Sequence, residues 1–251
     1  MKIIYFYHIP KCAGTTISDI LKKISISESG LYQNFDYVHI NKLNNDQKRI
    51  NNLEMRNFLD SLNNKTAHLK IIHHHHGYCG ISQIYNKILI EKQKAIDLGN
   101  KVYFFTCIRE PISFQISRLN FLKNSCGMKD ITFPEICKDK KSHNLMSKYF
   151  MRNHPARWDD FSLKKERFLK CLNLMDKVFV VENICLLYAW LEKILDIKLF
   201  DDKSIINTRK NVGQHKLLPT NEEYEILRRV NSFDKIFYDL ACSENFKNTF
   251  F

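Results

Sequence analysis

The chain has 251 residues, 44% hydrophobic and 12% aromatic, which suits one α/β domain with a buried core and excludes a globally disordered polypeptide. A formal charge of +12 favours an anionic ligand or acceptor and allows peripheral contact with an anionic membrane surface. No recognisable nucleic-acid motif accompanies that charge, so a nucleic-acid partner is not expected.

In chain order, the first β-rich run covers residues 3–9 and ends at Pro10. A short loop of Lys, small residues and hydroxyls follows, and a helix near 15–24. Residues 25–45, punctuated by Ser, Gly and Asn, are expected to form a surface excursion. A helical pattern near 46–62 precedes a strand at 69–73; a helix near 82–97 precedes a strand at 102–108. Helices are then expected near 111–124, 142–151 and 162–175, a strand at 178–181 and a helix near 183–196, where Ile184, Leu187, Leu191 and Ile194 recur at helical spacing. Residues 201–221 are polar and basic and read as a loop.

Three of the four strand runs, 3–9, 102–108 and 178–181 among them, are almost continuously apolar, the mark of strands covered on both faces. Strands alternating with helices imply a central parallel sheet with right-handed crossovers, with ligands at the carboxyl ends of its strands. Without an internal repeat or linker, residues 1–251 read as a single domain. The eight cysteines form no C-x-x-C pair, and Cys107, Cys171 and Cys185 read as small core residues. The first apolar run is too short for a signal peptide and no stretch reaches transmembrane length, so a reduced, cytoplasmic setting is expected.

The loop Pro10-Lys11-Cys12-Ala13-Gly14-Thr15-Thr16 between a strand and a helix has the layout of a phosphate cradle. Backbone N–H groups and a helix N-terminus attract an anion, and Lys and Thr side chains complete its shell. The triphosphate pattern G-x-x-x-x-G-K-[ST] cannot be fitted here. The string from His8 to Thr16 instead resembles the 5′-phosphosulfate loop of the heparan 2-O-sulfotransferase-like family of glycan sulfotransferases. Those enzymes use 3′-phosphoadenosine 5′-phosphosulfate (PAPS). The resemblance implies that Lys11, Cys12, Ala13, Gly14, Thr15 and Thr16 hold the 5′-phosphosulfate. Cys12 stands where relatives usually have Thr; near Lys11 and a helix N-terminus its thiolate would be stabilised and reactive, and it reads equally well as a small loop residue.

A second element strengthens the resemblance. Strand 102–108 runs into Arg109-Glu110-Pro111 and a helix that carries Ser117. Arg109 and Ser117 match the family's pair for the 3′-phosphate, for which a guanidinium fork is well shaped. Many relatives carry a second Arg where this chain has Phe114. Taken alone, Arg109-Glu110-Pro111 reads equally well as a simple helix cap. Weaker echoes, Asn144 to Met151, Val178 to Asn183 and Asn231 to Ala241, extend the resemblance over nearly the whole chain and read as scaffold.

The run His73-His74-His75-His76 follows a strand, so alternate side chains point to opposite sides and at most two of the four face one site. No second His or Cys cluster supplies the remaining ligands of a zinc site, and no metal is expected. The family's His-x-His and Gly-His-x-x-x-Gly patterns both land on His76, which the resemblance makes the general base, with His74 as its partner. The expected activity is transfer of the sulfuryl group from PAPS to a hydroxyl of a carbohydrate or glycolipid, with Lys11, His76 and His74 in catalytic roles. Glu110 and Glu182 are fallback bases. Two rivals from other classes are a small-molecule kinase with a degenerate phosphate loop and a non-catalytic polyanion-binding protein.

Overall fold

A computed structural model describes residues 1–35, 67–75, 81–151, 161–199 and 217–243. Its elements in chain order are β1 (Lys2–His8), α1 (Gly14–Ser27), β2 (Leu31–Phe35), β3 (Leu69–His75), α2 (Ile81–Asp97), β4 (Lys101–Ile108), α3 (Pro111–Ser125) and α4 (Phe133–Lys138). There follow α5 (Leu145–Met151), α6 (Phe161–Asn173), β5 (Lys177–Val180), α7 (Ile184–Leu195), α8 (Asn221–Val230) and α9 (Ser232–Cys242).

The strands form one five-stranded sheet in the order β2-β3-β1-β4-β5. The pairs β1–β3, β1–β4 and β2–β3 are all parallel. This is the α/β architecture that the alternation of strand and helix patterns implies. The central strand, β1, carries an unbroken apolar run from Ile3 to Tyr7, none of which has exposed surface. Burial of such side chains contributes about 1.5–3 kcal/mol each and holds the strand in the middle of the sheet.

Two expectations change. The segment 25–45 is not wholly irregular, because Leu31–Phe35 pairs with β3. The histidine run does not follow its strand: β3 continues through His75, which is paired with His8. The helix expected near 46–62 and most of the loop expected at 201–221 lie outside the described residues.

Contacts group the chain into two compact units interleaved in sequence. The first comprises Met1–His8, Ile17–Thr106 and Phe150–Lys177. Its core stacks Tyr5 on Phe104 and Phe6 on Phe105, with ring centroids 4.5 and 4.8 Å apart, and sets Phe150 edge-on to Tyr7 and Phe168. Asp176 accepts from the Phe104 N–H at 2.7 Å and from Lys92 Nζ at 3.0 Å, fastening the middle of β4.

The second unit comprises Ile9–Thr16, Cys107–Tyr149 and Val178–Phe251. Ile112 and Leu119 of α3 pack with Phe133, Ile136 and Leu227 in a small core. Gln115 Nε2, buried beside it, donates to the Ser142 carbonyl and to Asn231 Oδ1, both at 2.9 Å. The starts of α5 and α9 satisfy one another. Asn144 Oδ1 accepts from the Phe233 and Asp234 N–H groups, while Asp234 accepts from the N–H groups of Met146 and Ser147. Each helix thus supplies the acceptors that the other's first turn lacks.

Candidate functional site

The loop after β1 and the element after β4 belong to the second unit, and they meet there. Lys11 and Ala13 have left-handed backbones, φ 62° and 59°, with Cys12 between them outside that region. Such a left-handed backbone gathers N–H groups as an anion-binding nest does, with the Cys12 N–H taken by the Ile9 carbonyl. It costs about 1 kcal/mol or more per non-glycine residue, strain of the sort that persists at binding sites. The α1 helix opens at once, at Gly14, so its unsatisfied N–H groups and positive dipole end continue the same cradle. Thr15 is exposed and Thr16 half-buried at that helix end.

Arg109 is tied to the loop: Nη1 donates to the Lys11 carbonyl at 3.4 Å. Its Nε is buried without a hydrogen-bond partner among the described residues. A buried guanidinium donor left unused costs free energy, and an anion supplied from outside would recover it. Lys11 places its ammonium 4.1 Å from the centroid of the Phe121 ring. Burial, and then the Arg109 charge, hold its pKa below the ordinary lysine value. Ser117 lies half-buried on α3, one helical turn before Phe121. Lys11 is thus placed against Arg109 through its carbonyl and against Phe121 of α3 through its ammonium.

Other expectations are corrected. Cys12 is fully buried, its N–H donates to the Ile9 carbonyl at 3.3 Å, and its thiol lies 3.9 Å from the Met146 sulfur. Burial and the neighbouring Cys107 raise its pKa well above the usual value, against the pull of Arg109. Cys12 is a packing residue of the turn and not a reactive thiol. Cys185 is exposed where a core position was expected, whereas Cys107 and Cys171 are buried. Glu110 accepts from the Ile112 and Ser113 N–H groups at 3.1 and 2.6 Å, so its carboxylate caps α3. The capping reading of Arg109-Glu110-Pro111 therefore holds for Glu110, alongside the tether of Arg109 to the loop. The other fallback base, Glu182, accepts from the Glu110 N–H at 3.2 Å.

The histidines belong to the first unit and form two groups. His74 has no exposed surface; its Nδ1 is hydrogen-bonded to the Tyr5 hydroxyl and its ring stands edge-on to Tyr7. Burial, then His73 and His75, depress its pKa to about 3. His74, expected to face an acceptor, is here a buried ring with Nδ1 engaged by Tyr5. His73 lies on the other side. Its Nδ1 shares a hydrogen bond with the Tyr32 hydroxyl and its Nε2 one with His8 Nδ1, both at 3.1 Å. Tyr32 also bonds Ser18 Oγ at 2.9 Å, and the His75 ring stands edge-on to His8. Alternation along the strand is as expected, but both sides of β3 are covered. His76 lies outside the described residues.

Among the described residues, no three His, Cys, Asp or Glu side chains are grouped to hold a metal ion. No helix among them is long and apolar enough to cross a membrane. Phe121 is the site residue that sequence reasoning missed; the available signal was an aromatic one helical turn beyond Ser117. No family model and no curated protein matches this chain.

Proposed function

We propose that the protein is a PAPS-dependent sulfotransferase acting on a hydroxyl of a carbohydrate or glycolipid, with no metal required. One observation carries the reading: the strained Lys11–Ala13 turn opens α1 and is tethered to Arg109, whose Nε is buried and unpaired among the described residues. Two sets of anion donors side by side suit a nucleotide with separate 5′ and 3′ charges better than a single phosphate.

PAPS supplies an activated sulfuryl group, and its transfer leaves negative charge on a phosphate oxygen. In this reading Lys11, the N–H groups of Gly14 and Thr15 and the hydroxyls of Thr15 and Thr16 stabilise that charge. Cys12 and Ala13 shape the turn, with the Cys12 thiol directed to the Met146 sulfur. Arg109 and Ser117 hold the 3′-phosphate. His76 takes the acceptor's proton at an imidazole nitrogen, for which a pKa near neutrality is well placed.

Thermal shift with adenosine 3′,5′-bisphosphate (PAP), ATP with magnesium, and heparin separates this reading from its rivals, because a ligand of the folded state raises Tm. Stabilisation by PAP without magnesium is expected. Stabilisation only by ATP with magnesium would replace it with a kinase, and stabilisation by heparin alone with a polyanion-binding protein. Transfer of radiolabelled sulfate from PAPS to a panel of cell-envelope glycans then tests the reaction itself.

A further inference from the structure

Lys11 is held at both ends. Its carbonyl oxygen accepts from Arg109, and its ammonium lies over the Phe121 ring at 4.1 Å. The left-handed backbone at Lys11 fixes the direction in which the side chain leaves the loop. Phe121 is 42% exposed, whereas Phe114 of the same helix has no exposed surface, so its ring is not a core element. An exposed aromatic that carries a partly desolvated ammonium has a plain electrostatic purpose, because the ring face is the negative end of its quadrupole.

Lys11 is the loop's only lysine, and an anion in the nest is a stronger attractor for its ammonium than a ring. We propose that Phe121 is a positioning residue for Lys11: its ring holds the ammonium in the ligand-free protein, and an anion entering the loop draws the ammonium off the ring. The inference rests on the anion-site reading above and adds to it a competition between ring and ligand for one cation. Phe121 thereby keeps Lys11 extended toward α3 and sets how readily the loop accepts its ligand.

The direct readout is the side-chain NMR signal of Lys11 in protein labelled with ¹³Cε-lysine, assigned by its loss in Lys11→Met. In the ligand-free protein the ring current should shift this signal upfield, and Phe121→Leu should return it to an ordinary position. Saturating PAP should do the same in the wild type. By calorimetry, Phe121→Leu should bind PAP about two- to fivefold more tightly, since no ring contact is lost, and Phe121→Trp more weakly. In a Lys11→Met background the effect of Phe121→Leu should vanish.

An ordinary Lys11 signal in the wild type would overturn the proposal. So would Phe121→Leu binding PAP no more tightly than wild type, or a gain that persists without Lys11. If Phe121→Leu does not fold, Phe121→Trp alone decides by the sign of its change in affinity. If PAP fails to bind wild type, the sulfotransferase reading falls while the Lys11–Phe121 contact is still decided, by whether the upfield Lys11 signal is lost in Phe121→Leu and lost in the wild type on saturation with inorganic pyrophosphate; its survival in either would overturn the proposal.

Discussion

At the scale of single residues, the second unit concentrates positive charge on a strained turn. Lys11→Ala should reduce kcat by roughly a hundredfold or more while PAPS affinity changes by less than tenfold, because the charge it meets develops as the sulfuryl group departs. A normal kcat would remove Lys11 from the mechanism. Arg109→Ala and Ser117→Ala should instead weaken PAP far more than adenosine 5′-phosphosulfate, which lacks the 3′-phosphate; equal losses would mark structural damage. For Cys12 the geometry predicts inertness. Iodoacetamide followed by mass spectrometry should label the exposed Cys126, Cys185 and Cys242 while Cys12 stays unmodified in the folded protein. The loop was legible because Pro10, Gly14 and two threonines punctuate it within a few residues. The burial of Cys12 was not, since the sulfur that covers it belongs to Met146, 134 residues away.

At the scale of elements, the reciprocal caps of α5 and α9 explain why Asn144 and Asp234 sit where they do. Asp234 is fully buried and accepts from two N–H groups and from the Ser147 hydroxyl at 2.5 Å. Asp234→Ala leaves these donors unsatisfied and should cost about 2–4 kcal/mol in urea unfolding. Thr220→Ala removes only the exposed capping box of α8 and should cost about 1 kcal/mol or less. Equal losses would show that the cross-cap adds nothing beyond an ordinary helix cap. The strongly apolar strands were visible in sequence, whereas β2 was not. Its Leu-Tyr-Gln-Asn-Phe reads weakly as a strand, and pairing with β3 and the Tyr32 bonds to Ser18 and His73 fix it. For the histidines, period-two alternation was legible but not which face is dry, because His73 and His74, on opposite faces of β3, are both buried.

At the scale of the whole molecule, a charge of +12 makes further protonation unfavourable, and buried histidines couple that cost to folding. His73 and His74 titrate at about 3 in the fold against an ordinary 6.5. Between those values unfolding takes up one proton at each, so their stabilisation is fully present above the ordinary value and is lost as pH falls toward the folded one. Asp234 has the opposite sign, because burial raises its pKa from 3.8 to about 6. Its contribution is present below the ordinary value and is lost as pH rises through the folded one. Two histidines outweigh one aspartate. Between about pH 4 and 6, the three groups together should therefore lower stability on acidification by about one proton's worth, roughly 1.4 kcal/mol per pH unit. Urea unfolding across that range should show His74→Gln flattening the dependence and Asp234→Asn steepening it, whatever each substitution costs at neutral pH. Parallel profiles for wild type and both variants would mean that these buried groups do not set the response to acid, and that the exposed carboxylates and net charge do.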